Sequence, residues 1–291
     1  GKEGFSRPMM PLPERPEGVI WIDGLVVVPD AAGRERLVCH YSRRKGLEQQ
    51  LEHGLAVFND EKVRFEPARQ LPETEAWRLL QGHPVIVTVD GQRWVYAGLP
   101  LLHVRVPATY EAVLDPARYE AFSSRDPDAS GEARPRRNAA GQLEWTWQTR
   151  VGPVGPAEES AWLKAGRIQP DEARFSPRSA DGRERPLLHG GTVRWNPFRQ
   201  AWVMIALEVG GRASHLGEVW YAEGPTPVGP FPRAVRVVTH DRQSFYNPCH
   251  HDFLDEEAGR FIYFEGTYVN TFSGNPDLTP RYNYNQIMYR L

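Results

Sequence analysis

Only two of the 291 residues are cysteine, Cys39 and Cys249. Two thiols allow one disulfide at most and fix neither a pairing nor a compartment. Both read as free, buried thiols. Long hydrophobic runs are also missing. The longest apolar stretches, such as VIVTV and GLVVV, fall far short of the roughly 20 residues that a membrane-spanning helix needs, so no membrane partner is expected. Charge of one sign is missing too. The formal net charge is −2, and the short clusters Arg43-Arg44-Lys45 and Arg134-Pro135-Arg136-Arg137 read as solvated loops. That balance argues against a nucleic-acid partner, which leaves a basic excess. HExxH, CxxC, an EF-hand loop, GxSxG, a Rossmann fingerprint and a Walker motif are all absent. No secretory signal is present, but the chain opens on Gly1 rather than Met. The compartment stays open, and a secreted or periplasmic setting is compatible with the sequence.

Aromatic residues, by contrast, reach 11%, with nine Trp and eleven Tyr, and glycine and proline number 26 each. Aromatic segments between Gly/Pro punctuation predict many short strands joined by turns. A proline-rich arm (1–20) precedes a single all-β domain over 21–291, with an irregular insertion near 123–185. Four units follow one another. In the first, strands are expected at 24–28 and 36–42, then a hairpin over 53–68 around Asn59-Asp60, with the polar segment 43–52 as a loop containing a helical turn. The second opens at Gly82 and holds the strongest hairpin signal, VIVTVDGQRWVYAG, with its turn at Asp90-Gly91. A further strand is expected near 119–122. PAEESAWLKAGRI predicts a short helix. The third unit opens at His189. The fourth reads HDFLD as a first strand, EEAG as the turn, RFIYFEGTY as the second strand and YNYNQIMYRL as the third.

Each unit opens on a small or polar cluster: WIDG, QGHP, LHGG, PCHHD. Quasi-repeats of this length with about four strands are the signature of propeller blades. A β-sandwich is the competing architecture. In a propeller, the opening residues of each first strand converge, which makes Asp23, His83, His189, His250, His251 and Asp252 candidates for one site. His250 and His251 are adjacent, so in extended chain they face opposite sides.

Carboxylates carry the chemistry best supported by this composition. Glycosidic cleavage needs one carboxylic acid to protonate the leaving oxygen and one carboxylate to activate water or attack the sugar. Asp23, Glu218 and Glu265 are the candidates. Glu265 lies among aromatics, so it must be at a wet edge, paired, or in a pocket. Trp21, Tyr246 and Trp195 could stack on sugar rings, and His83, Arg194 and His251 are candidate substrate-binding groups. His250 and Asp252 are the candidate metal contacts. An oxygen-coordinated ion such as Ca2+ fits at least as well as zinc, although no cofactor is required.

Three segments resemble a known family. GEVWYAEGPTPVGPF, HGLAVFNDEKVRFEP and PCHHDFLDEEAGRFIYF are similar to the strand and loop patterns of the five-bladed propeller glycosidases, the family-43 hydrolases among them. The resemblance implies a five-bladed β-propeller with one blade irregular or incomplete, and an enzyme acting on a plant or microbial polysaccharide or oligosaccharide. It also implies Asp23 as base, Glu218 or Glu265 as acid, and His250, with His251 as rival, near an axial ion. The second unit opens on His83 where the family has an aspartate. A non-catalytic carbohydrate-binding or scaffold propeller, and a metal-dependent hydrolase or lyase using the histidine cluster, are the alternatives.

Overall fold

The structure is a computed structural model that describes residues 4, 6–73, 76–128, 133–279 and 281–291. The fold is all-β and of the β-propeller class. Among the described residues it contains four sheets, where the family resemblance implies five blades. The chain divides into two compact units, residues 1–97 with 104–121, and residues 98–103 with 122–291.

The first unit begins with the up-and-down sheet β1 (Val19–Pro29), β2 (Glu35–Lys45), β3 (Gln49–Asn59) and β4 (Arg64–Gln70). Alternation along β1 buries Gly24, Val26 and Val28 and exposes Leu25 and Val27. Val26, Val28, Val38 and Leu55 form the core with Val95, Val104 and Val106. The polar segment 43–52 is not a loop with a helical turn. It continues β2 and β3 to a tight turn at Gly46 (φ +74°), because Arg44 can bond across to Gln50 and along to Ser42 while staying at the wet end of the hairpin. The proline-rich arm closes on this sheet, with Met10 buried and the Met9 carbonyl accepting the Phe65 N–H at 2.7 Å.

Next come β5 (Val85–Val89), β6 (Gln92–Ala97), β7 (Val104–Pro107) and β8 (Glu120–Ser123), again in sequence order. The Asp90-Gly91 turn has both residues at positive φ, +49° and +77°, the geometry that two-residue hairpins favour. A four-residue helix α1 (Tyr110–Val113), capped by Thr109, was not legible in the sequence.

Gly24 sits at a bulge in β1. A Cβ there would lie 1.6 Å from the Leu80 carbonyl oxygen, and backbone cannot yield that much. Gly24→Ala is expected to destabilise the chain by about 3 kcal/mol or more. A urea midpoint equal to that of the parent would contradict this.

The second unit holds β9 (Thr146–Gln148), α2 (Pro156–Lys164), β10 (Arg178–Ser179), then β11 (Leu188–Asn196), β12 (Ala201–Glu208), β13 (Val219–Gly224) and β14 (Arg233–Val238). The helix forms where PAEESAWLK predicts it, with Pro156 in its first turn and Trp162 buried. The last sheet has three strands, β15 (Ser244–His250), β16 (Tyr263–Val269) and β17 (Asn285–Arg290). HDFLD is not its first strand. β15 ends at His250, and residues 252–254 form a 3-10 turn. The Asp255 carboxylate bonds the Tyr263 N–H and the His250 ring, which ties the loop back to the strand ends. Val203, Ile205, Val219, Phe245, Ile262 and Phe264 form the core here.

Candidate functional site

In the first unit, the β1 bulge places Asp23 beside His40 and Ser42 of β2. Its Oδ2 lies 3.6 Å from His40 Nδ1. His40 Nε2 is 3.1 Å from His53 Nδ1 on β3. Both imidazoles are buried, so one nitrogen of the contact must donate and the other accept. If His53 Nδ1–H donates, His40 carries its proton on Nδ1, on the side of the carboxylate, but at 3.6 Å the two are not hydrogen-bonded and His40 Nδ1 has no partner among the described residues. Burial raises the Asp23 pKa, opposed by a hydrogen bond from Ser42 and by the Arg44 charge. Burial also pushes His40 down to about 3, helped by His53 and Arg44. His40 and His53 carried no signal in the sequence beyond lying in apolar strands. Trp21 is partly exposed, with the Arg44 guanidinium 5.2 Å from its ring centre. His83 is partly buried two residues before β5.

In the second unit, the two adjacent histidines face opposite ways. His250 is buried, and its Nε2 meets both oxygens of Asp255 at 3.0 Å. Its backbone N–H donates to Thr192 Oγ1 on β11. Burial lowers its pKa against the opposing pull of Asp255. His251 points to a wetter environment. Its Nε2 lies 3.0 Å from Glu265 Oε1, with side chains 21% and 31% exposed. Arg194 Nε lies 3.6 Å from Asp252 Oδ1.

These pairs form one cluster around Cys249, which sits opposite Glu265 in the β15–β16 ladder. Burial raises the thiol to about 11, Arg194 pulls it down, and Glu265 and Asp252 both push it up. The thiol is therefore neutral at pH 7 and is not a nucleophile. Phe253, 79% exposed, has its ring 5.3 Å from that of His251. Tyr246 donates its hydroxyl to Tyr284 at 2.7 Å and packs edge-on against Phe272. Asp255 and Cys249 were missed as members of this site. Neither lies at a position that alternation marks, and a bulge between Tyr246 and Cys249 resets the register.

Glu218 stands apart. Its side chain is 0% exposed, accepts from Thr239 Oγ1 at 2.7 Å, and faces Arg236 Nη1 at 3.1 Å. That is the setting of a structural ion pair. Arg236→Met, which strands the carboxylate, is expected to cost about 3 kcal/mol in urea denaturation. A loss under about 0.5 kcal/mol would show that the pair contributes little.

His250 and Asp252, the candidate metal contacts, each face another side chain. His250 Nε2 is taken by Asp255, and Asp252 is turned to Arg194. Among the described residues, no group of three or more His, Cys, Asp or Glu could hold a metal. Chelator is expected to shift the melting temperature by less than about 2 °C. A larger fall, reversed by one added ion, would reinstate a metal site.

The site thus pairs an accessible carboxylate and imidazole, with a second carboxylate and an arginine nearby, on a sheet of a propeller-class chain. No protein-family model matches the sequence, and no curated protein matches it. Solved structures similar to the chain include an N-acetylgalactosamine deacetylase from F. plautii in complex with blood group B trisaccharide. The identity is 13%, the TM-score 0.39, and 99% of this chain and 75% of that one are covered. An endo-1,5-alpha-L-arabinanase from Thermotoga petrophila RKU-1 shows 11% identity and a TM-score of 0.38, over 93% of this chain and 56% of that one. A family 43 glycoside hydrolase from Bacillus licheniformis shows 10% identity with the same coverages and TM-score. The chain thus spans little more than half the length of the last two.

Proposed function

We propose that the chain acts on a plant or microbial polysaccharide or oligosaccharide as a glycosidase, and that Glu265 and His251 move the proton. The observation that carries this reading is their 3.0 Å contact at a partly exposed position. A carboxyl group and an imidazole at that distance can share a proton, and both remain within reach of a substrate oxygen. Glu265 gives the proton to the leaving oxygen, and His251 holds the carboxyl in place and replenishes it. Asp252, oriented by Arg194, supplies the second carboxylate that glycoside hydrolysis requires. Arg194 offers donors to sugar hydroxyls, and exposed Phe253 offers an apolar surface to the C–H face of a ring. Asp23, with His40 Nδ1 3.6 Å away, is the acid–base candidate of the first unit.

Binding without turnover is the second reading. It is favoured by the aromatic group of half-buried Tyr246 with exposed Phe272 and Tyr284, which suits stacking. The test uses the purified chain against a panel of plant and microbial polysaccharides, with reducing-end release and gel retardation measured in parallel. Sustained release supports the hydrolase. Retardation without release supports the binding reading. Neither outcome on any glycan overturns both.

A further inference from the structure

We propose that the second unit carries a separate binding cleft for a neutral sugar ring, built by the irregular segment 123–185 and sharing no residue with the Glu265 cluster. The cleft has a volume of about 410 Å³ and is walled by segments around Gln142, Trp145, Asp171 and Pro230. That size lies within the range of small-ligand pockets and suits one or two sugar rings.

Its walls are fixed by three polar anchors. The buried Glu159 of α2 accepts the N–H groups of Arg174 and Phe175 at 2.7 and 2.8 Å. Arg137 grips Glu172 with both guanidinium nitrogens, at 2.6 and 2.9 Å, and also donates to the Gly141 carbonyl at 2.7 Å. It therefore joins the 141–143 wall to the 171–174 wall. Arg174 donates to the carbonyls of Val228 and Gly229 at 3.3 and 3.1 Å, which holds the loop bearing Pro230. Trp145 is stacked on Phe122 at 5.3 Å and packs edge-on against Phe175 at 5.2 Å. A cleft held this rigidly loses little entropy when it binds.

The anchors also decide the ligand chemistry. Glu172 is neutralised by Arg137, and the Arg174 guanidinium is spent on carbonyls. Asp171, exposed at the rim, has no ion-pair partner among the described residues. Its carboxylate accepts hydrogen bonds only. Gln142 uses its side-chain oxygen to accept from Asn138 at 3.1 Å, which leaves its NH2 free to donate. An acceptor and a donor across an aromatic and apolar floor match a hydroxyl-bearing ring, whose hydroxyls do both and whose C–H face is apolar. Arg174 keeps its positive charge on these neutral carbonyls and offsets Asp171 across the lining, so no net charge selects an ionic ligand.

The ligand class rests on the glycan reading above, and the test separates the two. Cellobiose, maltose, lactose and xylobiose are titrated calorimetrically into the chain, with glucuronate and glucosamine as charged controls. The parent, Glu265→Gln, Asp171→Ala and Gln142→Ala are compared. At least one neutral disaccharide is expected to bind the parent and Glu265→Gln alike. Asp171→Ala and Gln142→Ala, both exposed changes, are expected to weaken binding about tenfold each. Binding that depends on Asp171 in a chain that turns over no glycan would uphold the cleft and remove the hydrolase reading. No neutral disaccharide bound, a preference for glucosamine or glucuronate, or loss in Glu265→Gln but not in Asp171→Ala would overturn the cleft.

Discussion

Glu265→Gln is expected to lower glycan turnover about 100- to 10,000-fold, the range for a lost general acid or base. The amide keeps the shape of the side chain and a bond to His251 but has no acidic proton to give to the leaving oxygen. Stability should change by less than about 1 kcal/mol, because both members of the pair are partly exposed and such pairs contribute little. The contrast between a large kinetic loss and a small stability loss is what distinguishes a catalytic carboxylate from a structural one. His251→Asn should cause a smaller loss, about tenfold, since it removes the partner that holds and reloads Glu265. Glu265→Gln with more than about half of the parental turnover would contradict the assignment. These rates are read from reducing-end release with parent and variants at matched concentration.

The second large effect is on stability in acid. His40 is buried and His103 partly so, and desolvation of their rings holds them at about 3 and about 4, below the ordinary value of 6.5. Between those values and pH 6.5 the unfolded chain binds protons that the folded chain refuses. Stability therefore falls as the pH drops through 6.5 and stops falling only near pH 3–4. At pH 5 each histidine accounts for about 2 kcal/mol, and the two together for about 4. That is a large part of the roughly 5–15 kcal/mol that holds a typical domain folded. Asp23, Glu159 and Glu208 act in the opposite sense, since burial raises each of them and the folded chain takes up their protons first. Urea midpoints followed by tryptophan fluorescence should be markedly lower at pH 5 than at pH 7. His40→Asn should reduce the difference between the two pH values. Equal midpoints in the parent would contradict the account.

The sheets were legible because their causes are local. Short apolar runs between turn residues marked β1, β5 and β12, and Asp90-Gly91 specified its own turn. The opposite facing of His250 and His251 likewise follows from strand geometry alone. Where longer-range effects decided the outcome, the sequence was silent or misleading. HDFLD reads as a strand by composition, but the Asp255 carboxylate binds His250 and Tyr263 N–H and turns the segment. The polar run 43–52 reads as a loop, yet cross-strand bonds keep it extended. Glu218 and Glu265 look equivalent in sequence, each a glutamate at an aromatic strand. In the structure Glu218 is fully buried and paired with Arg236 of the neighbouring strand, while Glu265 stays 31% exposed beside His251. The His40–His53 contact depends on the register between β2 and β3, which no single-strand pattern encodes.

The most direct measurement is a crystal structure of the Glu265→Gln variant with the glycan that the parent cleaves fastest. The account predicts a glycosidic oxygen within about 3 Å of the side chain at position 265, with His251 and Arg194 touching the same sugar. A glycan seated away from β15 and β16, with position 265 facing only solvent, would contradict it.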